Sequence, residues 1–434
     1  MKAAGHPAAL FFLKNEVGFV INMLFQRYHF SLLLFLLFVT AIHPQSLAIA
    51  NDAEPFFLPE TLGFIDNGGF AVKKDGQIIA AYNLHEMFVP ASIVKIATSL
   101  AALRILGPQY RFETYFFVDA NQNLYIKGLG DPFLVSEEVS IIVRRLKKRG
   151  CQRINDIYLD DTAFNLVTLA DGTGLSDNPY DAQNNALAVN FNTVNLDKNQ
   201  AGEVHSAEMQ TPTLPLMEEL AEDLEPGIHR INISQDKRTS NAIINRYVGE
   251  LFRSFQHKEN MPGSGTIALR KTPENLPLYY THQSSKALED IIALLMLYSN
   301  NFIANQLFLA MGAKLYGYPA TWEKSRRAVE EILLREFELS AGEIRIIEGS
   351  GLSRKNLVSP DAMIQLLDFF KPFSVFLPQE DGKLLKSGTL NGVYSYAGYF
   401  SDNNDLDSFV LMLNQQKNTR KGLLQELKRI YYRN

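Results

Sequence analysis

The chain has 434 residues, of which 46% are hydrophobic and 21% charged, so it is globular and long enough for two or three domains. Its formal net charge of -5 argues against a nucleic acid as partner, because phosphate binding requires a basic surface. The single cysteine, Cys151, excludes an internal disulfide.

The N-terminal 50 residues have the features of a secretory signal peptide. Residues 31–42 are mainly apolar but too few to cross a bilayer, which takes roughly 20 residues, and Arg27 and His29 precede them. Ala48 and Ala50 occupy the positions of a cleavage site, so Asn51 is the predicted mature N-terminus. An uncleaved membrane anchor is the alternative. We expect an exported protein of the periplasm, and peripheral association with the membrane stays open.

The mature chain mixes strand and helix patterns. A hairpin is predicted at 68–83, and the run 89–107 that follows is a helix with an almost entirely apolar surface. Residues 170–225 are rich in Asn, Asp, Gly and Pro, which predicts loops. Further strands are predicted at 111–118, 123–127, 384–390, 392–400 and 407–414, and a strand followed by a turn at 154–164. Helices are predicted at 137–148, 241–255, 288–299, 305–313 and 421–432. This order predicts one α+β domain built from both chain ends, with a long insertion between residue 106 and about 276.

Ser92 and Lys95 are the first candidates for chemistry. Three residues apart on a helix, they share one face and can touch. Burial disfavours the charged form of a lysine, which lowers its pKa and leaves a neutral amine beside the serine hydroxyl. That pair is a nucleophile with its base. The same spacing at Ser234 and Lys237 lies in a solvated stretch that cannot desolvate the lysine, so we discard it.

Two further polar motifs complete a possible site. The tripeptide Ser299-Asn-Asn301 ends an apolar helix, whereas similar tripeptides at 176–178 and 401–403 lie in turn-like sequence, where Ser, Asp and Asn are expected. Lys386-Ser-Gly-Thr389 opens a run of strands, and its glycine lets a substrate backbone approach while the lysine and hydroxyls face a carboxylate. Each motif is weak alone, but their order along the chain is specific.

Ser-x-x-Lys, then Ser-x-Asn, then Lys-[Ser/Thr]-Gly is the motif set of serine β-lactamases and penicillin-binding proteins. The sequence resembles one branch in particular, the D-alanyl-D-alanine carboxypeptidase and endopeptidase family of low-molecular-mass class C penicillin-binding proteins. The most specific shared run is Gly349-Ser-Gly-Leu-Ser-Arg354. Further shared runs lie at 89–95, 128–132, 159–161, 247–252, 299–301 and 386–393.

The resemblance implies a penicillin-binding, transpeptidase-like fold of the α+β class. It has an antiparallel five-stranded sheet with flanking helices, an all-helical part and an inserted domain. Residues 51–106 and 276–434 are assigned to the catalytic domain, and residues 107–275 to the insertion. Because the insertion is short, we expect its second domain to be reduced or missing.

The resemblance also implies the catalytic residues. Ser92 would attack the penultimate D-alanine of a peptidoglycan stem peptide and form an acyl-enzyme, with Lys95 as its base. Ser299 would relay the proton to the leaving amine, and Asn301 would hold both the substrate amide and Lys95. Lys386 would keep Lys95 neutral by like-charge repulsion. No metal or other cofactor is implied.

Substrate binding is implied for a second group of residues. Ser387, Gly388 and Thr389 would receive the substrate and its terminal carboxylate, with the oxyanion hole formed by the backbone N–H groups of Ser92 and Thr389. Arg354 and Asp181 would approach a diaminopimelate-type side chain, although without the resemblance both are ordinary surface groups. β-Lactams would be covalent inhibitors.

The sequence departs from the family at several positions. Asn300 stands where aspartate is usual, Ser387 where threonine is usual, and Asn305 where glutamate is usual. Two alternatives remain. A β-lactamase or esterase of the same superfamily would deacylate quickly, and a catalytically silent wall-binding protein would keep the fold without the reaction.

Overall fold

The computed structural model describes residues 59–235, 240–380, 383–402 and 405–433, and the predicted signal peptide lies outside them. The helices in chain order are α1 (Pro59–Leu62), α2 (Lys95–Leu106), α3 (Ser136–Lys148), α4 (Pro215–Leu220), α5 (Ser240–Lys258), α6 (Leu288–Tyr298), α7 (Asn301–Tyr316), α8 (Trp322–Glu336), α9 (Pro360–Phe370) and α10 (Arg420–Arg433). Short 3₁₀ helices lie at Ala91–Val94, Pro179–Asp181, Asn190–Asn192 and Lys371–Phe376.

The strands in chain order are β1 (Gly68–Lys74), β2 (Gln77–Tyr82), β3 (Glu113–Val118), β4 (Leu124–Gly128), β5 (Ile157–Asp160), β6 (Thr193–Lys198), β7 (Val204–Ser206), β8 (Gly227–Asn232), β9 (Ile267–Leu269), β10 (Leu278–Gln283), β11 (Ile344–Arg345), β12 (Leu357–Val358), β13 (Gln379–Glu380), β14 (Lys383–Leu390), β15 (Val393–Asp402) and β16 (Asp405–Leu413).

The main sheet joins the two ends of the chain. Its strand order is β13-β14-β15-β16-β1-β2, and every neighbouring pair is antiparallel. In the register of β1 and β16, Phe70 lies opposite Leu411. The predicted five-stranded antiparallel sheet is thus confirmed for the described residues, and the two-residue β13 adds a sixth strand at its edge.

Side chains of this sheet alternate between two cores, as the two-residue period of a strand requires. Ala71, Val410 and Met412 belong to a large cluster with the buried residues of α2, α6, α7, α8 and α9. Phe70 and Leu411, on the opposite face, pack with the terminal helix α10. The helix α2 therefore lies inside the protein, and its residues from Lys95 to Leu103 are all buried.

The inserted segment forms a second sheet with the order β10-β3-β4-β5-β9 and a three-stranded sheet with the order β7-β6-β8. These strands share a hydrophobic core with α3 and α5. The strand β10, at Leu278–Gln283, pairs with β3, although residues from 276 onward were assigned to the catalytic domain. The division into domains stays a prediction.

The prediction of loops in the inserted segment is wrong in part. Residues 170–225, predicted as loops, contain the strands β6 and β7 and the helix α4. These elements are short, so the partner strand β8 and the surrounding core stabilise them more than their own pattern does. No helix in the described part of the chain is both long and apolar enough to cross a membrane.

Candidate active site

Ser92 lies in the 3₁₀ helix Ala91–Val94, which runs directly into α2 at Lys95. The prediction of one continuous α-helix from residue 89 is corrected in this respect. In a 3₁₀ turn, side chains three residues apart eclipse each other. This geometry brings the Nζ atom of Lys95 to 3.0 Å from the Oγ atom of Ser92.

The side chain of Lys95 is fully buried and surrounded by oxygen atoms. Besides Ser92, its Nζ contacts Asn301 Oδ1 at 2.8 Å and the backbone carbonyl of Ser350 at 2.6 Å. Burial lowers the pKa of Lys95 well below its usual value, the nearby Lys386 charge lowers it further, and Glu348 acts in the opposite direction. The balance favours a neutral amine beside the Ser92 hydroxyl.

Ser299 and Asn301 lie at the junction of α6 and α7. Ser299 has the left-handed φ of 53°, which ends α6, and the Asn300 side chain accepts a hydrogen bond from Ile303 N at 3.0 Å as the N-cap of α7. Aspartate and asparagine are about equally good N-caps, which accounts for asparagine at this position of the motif. The cap fixes Asn301 as the first residue of α7, where its side chain reaches Lys95.

Lys386 extends from β14 toward the α6–α7 junction. Its Nζ donates to Ser299 Oγ at 2.8 Å and to the carbonyl of Ser387 at 3.1 Å. Burial lowers the pKa of Lys386 to about 8. Further along the same strand, Thr389 is exposed and can contact a ligand.

Gly388 allows β14 to lie against the segment that carries Ser92. A Cβ atom at this position would lie 2.7 Å from the carbonyl oxygen of Pro90 and 3.0 Å from the backbone nitrogen of Ser92. Since real Cβ atoms do not approach other atoms so closely, glycine is required for this contact. The strand and the backbone N–H of Ser92 are thereby neighbours.

Sequence reasoning missed the role of the turn before Arg354 in holding Lys95. The turn is organised by Glu348, whose fully buried carboxylate accepts from Ser350 N at 2.8 Å, Ser350 Oγ at 2.5 Å, Gly351 N at 2.8 Å, Ser353 N at 3.1 Å and Asn356 Nδ2 at 2.8 Å. It thereby orients the Ser350 carbonyl toward Lys95. The glycine-rich run signalled a tight turn, but not the acid that closes it.

The structure places Asp181 and Arg354 beside the site without contact to the Ser92 side chain. Asp181 accepts hydrogen bonds from Gly174 N at 2.8 Å and Ser176 Oγ at 2.6 Å, so its carboxylate is engaged within its own loop. The preceding carbonyl, of Tyr180, accepts from Asn301 Nδ2 at 3.3 Å. Arg354 is exposed and donates to the carbonyl of Asn391.

Another residue missed in the sequence is Arg420, at the start of α10. It donates to the Thr389 side chain from a helix that begins 31 residues later in the chain, and nothing in its local sequence signals this contact.

Among the described residues, His85, Glu343 and Asp361 form a group with metal-ligand atoms within 4.8 Å of one another. None of the three was predicted for the site, and the absence of a metal from the reaction stays a prediction.

Comparison with known proteins decides the family. The model of the D-Ala-D-Ala carboxypeptidase 3 (S13) family matches residues 65–222 and 234–377. The chain belongs to this family. It is therefore a serine-type peptidase, and the predicted family and enzyme class are confirmed.

Individual relatives of this S13 peptidase agree with the assignment. It is 26% identical to D-alanyl-D-alanine carboxypeptidase DacB of Haemophilus influenzae, over 84% of this chain and 90% of that protein. It is 27% identical to a D-alanyl-D-alanine carboxypeptidase of an Actinomadura species, over 65% of this chain and 60% of that protein.

The fold of the S13 peptidase also matches a solved structure. The crystal structure of penicillin-binding protein 4 of Haemophilus influenzae superposes with a TM-score of 0.67 and 24% identity, over 86% of this chain and 98% of that one. The same protein in complex with a β-lactam superposes with a TM-score of 0.63 at the same identity and coverage. The predicted penicillin-binding fold is confirmed.

Proposed function

We propose that this S13 peptidase hydrolyses peptidoglycan stem peptides through an acyl-enzyme on Ser92. Release of the terminal D-alanine is the proposed carboxypeptidase reaction, and cleavage of cross-links is the proposed endopeptidase reaction. The observation that carries the proposal is the contact of 3.0 Å between Lys95 Nζ and Ser92 Oγ in a buried setting that favours the neutral amine. A neutral amine next to a hydroxyl is a general base next to its nucleophile.

The hydrogen-bond partners of Lys95 assign its protons. A neutral amine has two hydrogens and one lone pair. The carbonyl oxygens of Asn301 and Ser350 can only accept, so they take the two hydrogens. The lone pair is left for the Ser92 hydroxyl, which donates its proton to Nζ as its oxygen attacks the substrate carbonyl. Asn301 and Ser350 thus orient the base.

Proton return to the leaving amine is proposed for Ser299. Its hydroxyl accepts a hydrogen bond from Lys386 at 2.8 Å, which leaves its own hydrogen free to be donated to the leaving nitrogen. Lys386 would replace that hydrogen through the same bond, so the proton that Lys95 takes from Ser92 is balanced by the one that Lys386 gives up. Lys386 has a second effect, because its positive charge lowers the pKa of Lys95. The pair therefore supports both halves of the acylation step.

Stabilisation of the developing oxyanion is proposed for the backbone N–H groups of Ser92 and Thr389. The close approach of Gly388 to the Ser92 nitrogen supports this, because it brings the two backbone segments together. In a comparable enzyme, loss of one such donor costs on the order of 100-fold or more in rate. Water would then hydrolyse the acyl-enzyme and release the shortened peptide.

The recognition of a diaminopimelate-type residue is proposed for Arg354 and Asp181. The position of Arg354 near the end of β14 supports it, as does the contact of the Tyr180 carbonyl, next to Asp181, with Asn301.

β-Lactams would acylate Ser92, since they imitate the substrate amide. The proposed location is the periplasm, after export by the predicted signal peptide.

The proposal is tested with the substitution Ser92→Ala. We expect release of D-alanine from a stem pentapeptide to be abolished, and mass spectrometry after incubation with penicillin to find no adduct. The matched control is Ser99→Ala, two helical turns further along, whose buried Oγ has no hydrogen-bond partner among the described residues. It should keep both activities.

Each result that contradicts the proposal points to one alternative. D-alanine release by Ser92→Ala at the wild-type rate would remove Ser92 from the mechanism. A wild-type protein that forms no penicillin adduct would be the silent wall-binding protein. Rapid loss of the adduct after a chase, with release of hydrolysed penicillin, would identify a β-lactamase.

A further inference from the structure

Arg420 is a charged side chain at the substrate end of β14 that the mechanism does not use. It is the first residue of α10, and its Nη1 atom donates to the Thr389 Oγ1 atom at 2.8 Å and to the Gly388 carbonyl at 2.9 Å. Its guanidinium carbon lies 4.6 Å from the centre of the Tyr396 ring. Tyr396 is opposite Ser387 in the pairing of β14 with β15. The guanidinium is therefore held between the Tyr396 ring and the strand β14.

The contact with Arg420 determines what the Thr389 hydroxyl can do. Its oxygen already accepts from the guanidinium, so its own hydrogen is available for an outside acceptor. Thr389 is exposed, and a substrate carboxylate is such an acceptor. The arginine also brings a positive charge next to this hydroxyl. Lys386 brings a second positive charge, which is lost above a pKa of about 8.

The charge of Arg420 has no acidic partner within the part of the chain that the structure describes, where other arginines form ion pairs. Arg246, for example, contacts Glu219 and Glu250 at 2.6 Å each. The buried Nε atom of Arg420 also has no hydrogen-bond partner among the described residues. A half-buried guanidinium without a counter-ion, next to an exposed hydroxyl donor, fits an anionic group of a ligand.

We propose that Arg420 determines specificity for substrates with a free α-carboxylate next to the scissile bond, which it binds together with the Thr389 hydroxyl. This inference rests on the proposed function, since it concerns the same site. Lys386 supports the acylation chemistry, whereas Arg420 selects the charge of the substrate terminus.

The test compares a matched substrate pair in the full-length protein. One peptide ends in D-Ala-D-Ala with a free carboxylate, and the other is its terminal carboxamide. For Arg420→Gln we expect kcat/KM for the carboxylate peptide to fall about 10- to 100-fold, mainly through KM, because a charge-assisted hydrogen bond contributes about 1.5–3 kcal/mol. The value for the carboxamide should stay the same. In Arg420→Lys, kcat/KM for the carboxylate peptide should fall less than in Arg420→Gln.

A second pair, penicillin G and its methyl ester, gives the same comparison for acylation. The matched control is Arg429→Gln, in the same helix, where the exposed arginine contacts only Glu426 among the hydrogen bonds found in the described residues. It should keep the wild-type preference. Thermal unfolding checks that Arg420→Gln is folded.

Two results would overturn the inference. If Arg420→Gln keeps the wild-type preference for the carboxylate in both pairs, Arg420 does not select it. If both members of a pair lose activity equally, the arginine is structural. Failure of the proposed function gives a different result. The wild-type protein itself would then release neither D-alanine from the carboxylate peptide nor D-alanine amide from the carboxamide, and this inference would fail with it.

Discussion

Lys386 and Ser299 are joined by a hydrogen bond of 2.8 Å from Nζ to Oγ, although 87 positions separate them in the chain. The bond links the strand β14 to the junction of the helices α6 and α7. Because the charge of Lys386 also acts on Lys95, this contact connects the sheet, the helical part and the base of the proposed reaction. The role of Lys386 in it can be tested through the pH dependence of the reaction.

Lys386→Met should move the acid limb of the acylation profile to higher pH. The limb reports deprotonation of Lys95, and the positive charge of Lys386 lowers the pKa of Lys95. Removing that charge raises the pKa, so the neutral base appears only at higher pH. The acylation rate by a chromogenic β-lactam, measured across pH, should also fall on the order of 100-fold, a loss typical of disturbed proton transfer.

The control for this variant is Lys371→Met, which removes an exposed lysine of the 3₁₀ helix Lys371–Phe376. It should reproduce the wild-type profile. An acid limb that stays in place in Lys386→Met would show that Lys386 does not tune Lys95.

The wild-type activity should decline on the alkaline side as Lys386 titrates. Its pKa of about 8 means that the charged form prevails below about pH 8 and is lost above it. Hydrogen bonding to Ser299 then loses its charge assistance, so kcat/KM for D-alanine release should decrease above about pH 8. The full profile of the wild-type protein tests this, and a plateau that continues to pH 10 would contradict it.

Glu348→Gln should slow acylation and shift its acid limb to lower pH. The amide nitrogen of glutamine would face donors that the carboxylate now accepts from, which disturbs the turn that presents the Ser350 carbonyl to Lys95. Loss of the negative charge also lowers the pKa of Lys95, because Glu348 raises it. We expect the rate to fall about tenfold or more, given about 1.5–3 kcal/mol for a charged hydrogen bond.

Glu348→Asp keeps the charge and should leave the acid limb in place. Glu343→Gln is the matched control, since this half-buried glutamate contacts His85 outside the predicted site. A slow Glu348→Gln variant with an unshifted limb would mean that the residue only stabilises the turn.

Much of this site could be predicted because its chemistry is encoded in short motifs. Ser92 and Lys95 are three residues apart, so local helical geometry alone brings them together. The assignment of Ser299 and Lys386 to the same site as Ser92 came from the order of motifs and a family resemblance, not from spacing, and their hydrogen bond to each other was not predicted. The strands of the main sheet were predictable because their alternating side chains fill two cores.

The missed features depend on tertiary contacts. Arg420 reaches Thr389 only because α10 packs on the main sheet, and no local pattern marks an arginine at a helix start as a ligand. In the sequence Glu348 is an ordinary acidic residue, and only the folded turn brings five hydrogen-bond donors to its carboxylate. The strands β6 and β7 were missed because polar turn residues surround them and their burial depends on partner elements.

Gly388→Ala should reduce acylation without unfolding the protein. The added Cβ would lie 2.7 Å from Pro90 O and 3.0 Å from Ser92 N, so β14 must move away from the nucleophile. A displacement of this kind in an active site costs on the order of 100-fold in rate. The control Gly342→Ala adds a methyl group in open space and should be neutral. Wild-type acylation by a folded Gly388→Ala variant would argue against an oxyanion hole between Ser92 and Thr389.

Arg354→Ala should affect large substrates more than small ones. The side chain is exposed and donates to the carbonyl of Asn391, just beyond the end of β14, so it is placed to meet a substrate group outside the reaction centre. We expect kcat/KM to fall about tenfold for cross-linked or diaminopimelate-containing muropeptides, because one hydrogen bond to a charged group is lost. For a small D-Ala-D-Ala peptide it should change little. Product analysis of digested muropeptides measures both. Arg345→Ala, which removes another exposed arginine that donates to a backbone carbonyl, is the control. Equal losses on both substrate types would make Arg354 a structural residue of the turn.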